Sequence, residues 1–267
     1  MQGTIDGFSY GWVTPVTAFL MAWLGSALGL RCTTRSLIQE DSWRPGWLAL
    51  GAAAIGSGIW SMHFIAMMGF TVDETPVNYD RTLTFASLAV AIVVVGIGVF
   101  IVGYRGATVG ALLTGGAVTG LGVACMHYMG MAAMRLQGAL TYDTVIVVLS
   151  VVVAVVAATA ALWAAVQPRN FVWSLGAGVV MGVAVCGMHY TGMAALGVHL
   201  HESSISPAGD SGVSLLAPML LGPLIFLLLA GVVVMFDPLV LEGKPDQQTA
   251  RPARQPADDV FAGGRTR

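Results

Sequence analysis

Charged residues are scarce in this chain. Only 10% of its 267 residues are charged and 56% are hydrophobic, which gives a mean hydropathy of +0.79. A soluble domain carries about 25% charged residues, so this chain cannot cover a globule with polar surface and most of it must face lipid. Its 12 Lys and Arg residues are scattered along the sequence, which argues against nucleic acid as a partner.

Cysteine and an N-terminal positive charge are also nearly missing. Three cysteines without a CxxC spacing form neither a disulfide framework nor a zinc knuckle. The N-terminal stretch MQGTIDGFSYGW lacks the basic segment of a secretory signal peptide. We therefore expect the first apolar run to be retained as a membrane span.

Long apolar runs dominate what is present. Seven of them reach the roughly 20 residues that a membrane-spanning helix needs. Helices are expected because backbone groups in lipid must be paired within the segment, and these runs are too long and too apolar for barrel strands. The sequence thus predicts an all-α fold, a polytopic membrane bundle of seven transmembrane helices. The predicted spans are 10–30, 47–70, 82–102, 107–134, 144–166, 171–196 and 213–236.

The basic residues are divided unevenly between the two sets of connections, and this bias sets the orientation. Ten of the 12 fall on one side or in the tail, and only Arg81 and Arg135 fall on the other. We expect the N-terminus outside and the C-terminus in the cytoplasm, in a multi-pass protein of the cell membrane. Spans 2, 4 and 6 then run outward.

The last segment differs in composition from the rest. Residues 1–236 hold the apolar spans, whereas residues 237–267 are rich in Pro, Gln, Asp and Arg. Such a segment cannot bury enough apolar surface to fold, and it is too short for a catalytic output domain. We predict a seven-helix membrane domain over 1–236 and a disordered cytoplasmic tail over 237–267.

A short pattern occurs three times, near the outward ends of spans 2, 4 and 6. It reads WSMHFIAMMGF from residue 60, CMHYMGMAAM from residue 125 and CGMHYTGMAAL from residue 186. The three histidines are His63, His127 and His189. In sequence, spans 2–3 and 4–5 form two-helix units, and span 6 begins a third unit with span 7.

The neighbours of each histidine are also repeated. The glycines seven residues before the histidines are Gly56, Gly120 and Gly182. The preceding methionines are Met62, Met126 and Met188. The following aromatics are Phe64, Tyr128 and Tyr190. The small residues three later are Ala66, Gly130 and Gly192. The methionines four later are Met67, Met131 and Met193.

Helix geometry gives this spacing a meaning. The positions seven before and four after a histidine share its face, and the glycine lets another helix approach closely. The methionine directly before each histidine is rotated off that face by about 100°. Cys186 lies on the face and Cys125 does not. We expect the three histidines to converge near the outer face of the membrane.

The residue types indicate a soft metal. Ionisable residues inside a membrane are rare and usually functional, although methionines often only pack and a histidine can serve as an interhelical hydrogen bond. Thioether with imidazole selects copper and argues against zinc, calcium or magnesium. Non-covalent haem is the alternative cofactor, since His and Met are also axial ligands. A site within the bilayer suits oxygen, nitric oxide or carbon monoxide.

The motifs MHFI at 62–65, MHYM at 126–129 and MHYT at 188–191 resemble the MHYT domain of bacterial membrane sensors over residues 10–240. That family is regarded as sensory and is often fused to cyclic-di-GMP or histidine-kinase output modules. The resemblance implies copper binding and gas sensing by the three histidines and their six methionines. Phe64 departs from the tyrosine of the motif.

The resemblance thus favours a ligand-binding membrane sensor that is not an enzyme. It would act in the lipid bilayer. The sequence departs from the fused members of the family because it contains no output module, so we expect a stand-alone sensor that signals to a separate cytoplasmic partner. Tyr128 and Tyr190 are either interfacial aromatics or accessory donors, with Cys125 and Cys186 as accessory candidates. A copper chaperone or transporter and a haem redox protein are the alternatives. The polar groups cluster at one face, which favours binding over transport.

Overall fold

The computed structural model describes residues 3–38, 43–167, 171–200 and 209–236. The predicted tail over 237–267 lies outside the described residues. Arg169, which contributes to the predicted orientation, lies outside them as well.

Seven helices long and apolar enough to cross a membrane occupy these ranges. The predicted all-α bundle of seven spans is confirmed. The boundaries shift by at most three residues, except that the first helix continues to Ile38, eight residues past the predicted end of its span, and includes Arg31 and Arg35. The helices are α1 Val13–Ile38, α2 Arg44–Met68, α3 Arg81–Arg105, α4 Val109–Ala132, α5 Thr144–Ala165, α6 Phe171–Ala194 and α7 Gly212–Met235.

The first six helices form a closed ring. Each helix from α1 to α5 packs against the next one in sequence, and α6 completes the ring by packing on α1. The seventh helix lies outside the ring in the groove between α1 and α2, where Leu227, Ala230 and Val234 are buried. The motif-bearing helices α2, α4 and α6 are therefore held in place by two ring neighbours each.

The ring has approximate threefold symmetry, and the glycine seven residues before each histidine shows it. A Cβ on any of these glycines would meet the neighbouring helix at close range, so each marks a close approach of two backbones. The pairs are Gly56 with Ile92 of α3, Gly120 with Val155 of α5 and Gly182 with Trp23 of α1. In space the third unit is thus α6 with α1, although in sequence α6 is followed by α7.

Short antiparallel strands, which the sequence did not predict, occur in the segment before α1 and in the connections after α2, α4 and α6. The strands are β1 Ile5–Asp6, β2 Thr71–Val72, β3 Asn78–Tyr79, β4 Met134–Arg135, β5 Gly138–Tyr142, β6 Leu196–Leu200 and β7 Asp210–Ser211. They pair as β1–β2, β4–β3–β7 and β5–β6. We call this face of the bundle the strand end.

Two aspartates at the strand end start the helices that lead away from it. The Asp80 carboxylate accepts a hydrogen bond from the Leu83 amide, and Asp143 caps α5 in the same way. The Leu83 amide and the nearby Arg135 hold the pKa of Asp80 below its ordinary value. These caps fix where the chain turns back into the membrane.

The charge bias of the connections predicts that the strand end is external. A reporter that is active only in the cytoplasm should be active when fused after Phe236, and a reporter of the external compartment should be active when inserted near Gly209. Both fusions should be assayed with both reporters. The reverse pair of activities would place the motifs at the inner face of the membrane and overturn the orientation.

Candidate metal centre

The three motif histidines occupy the same place on their helices. His63, His127 and His189 each lie five residues before the last residue of α2, α4 and α6. All three are buried, with side chains at most 1% exposed. Because the three helices run in the same direction and end at the strand end, this shared register puts the imidazoles at one depth.

The three imidazoles meet at their Nδ1 atoms. The Nδ1–Nδ1 distance is 3.0 Å between His63 and His189, 3.2 Å between His63 and His127, and 3.3 Å between His127 and His189. The rings stand nearly perpendicular to one another. The predicted convergence is confirmed, and we call these three residues the histidine triad.

The spacing of the triad fits one metal ion. Nitrogen ligands about 2.0 Å from an ion in tetrahedral directions lie about 3.3 Å apart, close to the three measured separations. Without an ion, each close pair is a hydrogen bond only if one of its two nitrogens lacks a proton. Three unprotonated Nδ1 atoms at these separations would form a ready donor set for a cation.

Glycines from the neighbouring repeat fix the orientation of two of the rings. A Cβ on Gly130 would overlap Nε2 of His63, and a Cβ on Gly192 would overlap Nε2 of His127. Each ring therefore lies in the space that the side chain of a larger residue would occupy if it replaced the glycine on the next motif helix. This contact accounts for the glycine three positions after the histidine in the second and third motifs.

The outer nitrogens of the same two rings have no hydrogen-bond partner. Nε2 of His63 and of His127 is buried and unpaired among the described residues. A metal-binding histidine commonly donates its second N–H to a carboxylate or carbonyl, which fixes the ring. Here the contact with a glycine of the next motif takes over that positioning role.

The methionines of the motif lie in the protein core around the triad. Five are at most 1% exposed and the sixth, Met193, is partly buried. Met188 lines a small cavity on the side of the triad away from the strand end, and Met67 lines a larger pocket at the strand end. Their role as metal ligands stays a prediction.

The accessory candidates lie in different environments. Cys125 is exposed on α4 and Cys186 is half-buried, and neither thiol joins the triad among the described residues. The hydroxyl groups of Tyr128 and Ser150 are 2.7 Å apart, so Tyr128 is engaged with α5. The hydroxyl of Tyr190 is buried without a partner in the described part of the chain. Of the four accessory candidates, Tyr190 is therefore the one best suited to donate a hydrogen bond to a ligand.

Tyr79 is a neighbour of the site that the sequence analysis missed. It is buried in β3, its ring contacts Phe64 and its hydroxyl lies 3.4 Å from the carbonyl oxygen of Met67. Burial raises the pKa of its hydroxyl. Its position in a connection gave no periodic signal, so only the folded chain shows that this residue of the strand end packs against the first motif.

Two ion pairs tie the connections of the strand end together. Arg135 contacts Asp80 at 3.2 Å, and Arg81 contacts Asp210 at 3.0 Å. These are the two arginines that the charge bias places outside. Both pairs are partly exposed, so each contributes little to stability. They link the segment after α4 and the segment before α7 to the start of α3.

Seven apolar helices and a buried centre of three imidazoles define a polytopic membrane protein with a candidate metal site. The sequence profile of the MHYT family, described as a bacterial signalling protein N-terminal repeat, matches residues 56–115, 120–178 and 182–237. The chain belongs to this family. Each matched segment begins at the glycine seven residues before a triad histidine.

Curated relatives are signalling proteins. The chain is 38% identical over 192 residues to the bifunctional diguanylate cyclase/cyclic di-GMP phosphodiesterase MucR of Pseudomonas aeruginosa, a match that covers 70% of this chain and 28% of MucR. It is 32% identical to the cyclic di-GMP phosphodiesterase NbdA of the same organism, over 73% of this chain and 26% of NbdA.

A third relative is the signalling protein YkoW of Bacillus subtilis, 30% identical over 72% of this chain and 24% of YkoW. The matched part thus spans about a quarter of the length of these relatives. No solved structure matches the chain. These comparisons support a sensory role in the membrane.

Proposed function

We propose that this chain is a membrane sensor whose histidine triad holds one copper ion and responds to a diatomic gas or to redox state. The observation that carries the proposal is the set of three Nδ1 atoms 3.0–3.3 Å apart, one from each repeat. Burying three imidazoles inside a membrane costs free energy, and helix packing alone does not require them there. A bound metal ion would account for their presence.

Copper is favoured over zinc by the side chains around the triad. Three histidines alone also suit zinc, but the motif surrounds them with methionines, and thioether sulfur favours Cu(I). The methionines four residues after the histidines, Met67, Met131 and Met193, are the preferred sulfur candidates. Those directly before the histidines, Met62, Met126 and Met188, are secondary ones.

Haem fits the triad less well than a single ion. A haem iron bound by two histidines keeps the porphyrin between them, so the two nitrogens lie about 4 Å apart on opposite faces of the ring. The three Nδ1 atoms here lie closer together than that, within 3.3 Å of one another. A porphyrin would have to separate the three helices.

Transport is also less supported than binding. The residues four before the histidines form the next layer along the bundle axis, and they are Ile59, Val123 and Val185. An ion that left the triad toward the other end of the bundle would meet this apolar layer, whereas a transport path needs polar groups through the bilayer. The layer favours a site that holds its ion.

Signalling by this domain would pass to a cytoplasmic partner. Two relatives carry names that assign them cyclic di-GMP synthesis or breakdown. We propose that the membrane domain itself performs no catalysis, and that ligand binding at the triad controls an output module of this kind through the N-terminal ends of α2, α4 and α6, which lie opposite the strand end. The strand end would then face outward and the other helix ends inward.

Metal analysis of the purified protein tests the proposal. We expect about one copper ion per chain after copper loading, and a visible spectrum without the strong absorption of haem. The same protein loaded in the presence of zinc should still prefer copper. Iron with a haem spectrum, or a chain that binds no metal under any loading condition, would contradict the proposal.

A further inference from the structure

A small cavity lies one helical turn below the triad, on the side away from the strand end. Its walls include Ile59, Val123 and Val185, each four residues before a triad histidine, and it extends between α5 and α6 to Ala157 and Ala184. The centre of a water-sized sphere can move through about 10 Å³ of it. This is about the smallest space that holds one small molecule.

The threefold symmetry shows why the cavity lies at this interface. The residues five before the triad histidines each face the neighbouring ring helix from the preceding unit. At the first interface Gly58 lies in backbone contact with Gly25, and at the second the side chain of Val94 fills the space over Gly122. The α5–α6 interface has Ala184 at this position, and here space is left open.

The cavity also lies close to the lipid. Ala157 and Ala184 are only half-buried, whereas Ile59 is 1% exposed at the inner wall. The cavity therefore lies between half-buried alanines at the surface of the bundle and the buried layer beneath the histidine triad. At the two other interfaces the corresponding position is filled by backbone contact or by a valine side chain.

The lining determines what the cavity can hold. Apart from Thr119, the wall side chains are Ala, Val, Ile and Met. An ordered water needs two to four polar partners, and apolar cavities of this kind stay dry and accept apolar guests. A diatomic, uncharged molecule that dissolves in lipid meets both the size and the chemistry.

We propose that the α5–α6 cavity binds a diatomic apolar molecule, with dioxygen as the example, which reaches it from the lipid bilayer. The role of the cavity in sensing rests on the proposed function of the triad. Binding of such a molecule in the cavity does not depend on that function. The ligand then lies one turn below the three imidazoles, and its access route is lateral rather than through the strand end.

Dioxygen itself is the probe for the test, because it is paramagnetic and speeds the relaxation of nearby methyl groups. Under oxygen pressure, the methyl groups of Ile59, Val123 and Val185 should relax at least about threefold faster than those of Val95 and Val99, which are equally buried on α3 but away from the cavity. Ala157→Leu should abolish the difference by filling the cavity.

The matched control is Ala160→Leu, the same change on the lipid-facing side of α5, which should leave the difference intact. If Ala157→Leu does not fold, Ala184→Val provides a smaller filling change, and the wild-type comparison stands alone. Equal relaxation of the two groups of methyls in the wild type, or an Ala157→Leu protein that keeps the difference, would overturn the proposal. Copper content measured on the same samples separates this outcome from failure of the metal site.

Discussion

Copper should be lost from the purified protein when His127 is replaced by alanine, and retained when Met126 is replaced by leucine. His127 lies 3.2 and 3.3 Å from the other two Nδ1 atoms, so its removal leaves only two converging nitrogens. We expect the bound copper to fall by about tenfold or more, since the loss of even an outer-shell partner lowers metal affinity by about 10–100-fold. Met126 is rotated about 100° from the histidine face.

Two controls make this comparison specific. Met126 is fully buried, and Leu replaces Met at nearly constant volume, so Met126→Leu should cost less than about 1.5 kcal/mol of stability. His199→Ala removes a histidine from β6, outside the triad, and should leave copper unchanged. If His127→Ala and Met126→Leu both retain copper equally, the triad is not the metal site and serves only as an interhelical hydrogen-bond cluster.

Gly130→Ala should destabilise the bundle and release the metal, although it adds a single carbon. The added Cβ would overlap Nε2 of His63, and the imidazole cannot move aside without leaving the other two rings. Overpacking of this kind costs about 1–3 kcal/mol. We expect a lower temperature of thermal unfolding in detergent and a loss of copper similar to that of a triad substitution.

The control for this change is Gly187→Ala on α6, two residues before His189. A Cβ there would meet nothing within 4 Å, and replacing a helix glycine by alanine should stabilise the helix by about 0.5–1 kcal/mol. The two variants should therefore shift the unfolding temperature in opposite directions. If both bind copper normally and unfold at or above the wild-type temperature, the contact between Gly130 and His63 does not hold the ring.

The seven spans and the convergence of the histidines could be predicted because both depend on local information. Hydropathy and length define the spans, and the shared register of His63, His127 and His189 on three helices of one direction is enough to bring them to one depth. The odd number of spans and the basic residues likewise predict an orientation without any knowledge of which helices touch.

Which helices are neighbours could not be predicted, because helix packing in a membrane depends on partners far apart in sequence. Gly182 signals a close approach but does not identify its partner, which is Trp23 on α1 and not a residue of α7. The role of Gly130 was missed for the same reason, since its contact with His63 joins two different repeats. The strands were missed because runs of two to five residues show no clear alternation.

The central claim is that three sequence repeats contribute one histidine each to a single metal centre. X-ray absorption at the copper edge of the loaded, full-length protein tests this claim most directly, because it counts the nitrogen and sulfur neighbours of the ion. The account predicts three imidazole nitrogens at about 2.0 Å. A copper ion surrounded by sulfur alone, or by one imidazole only, would contradict it.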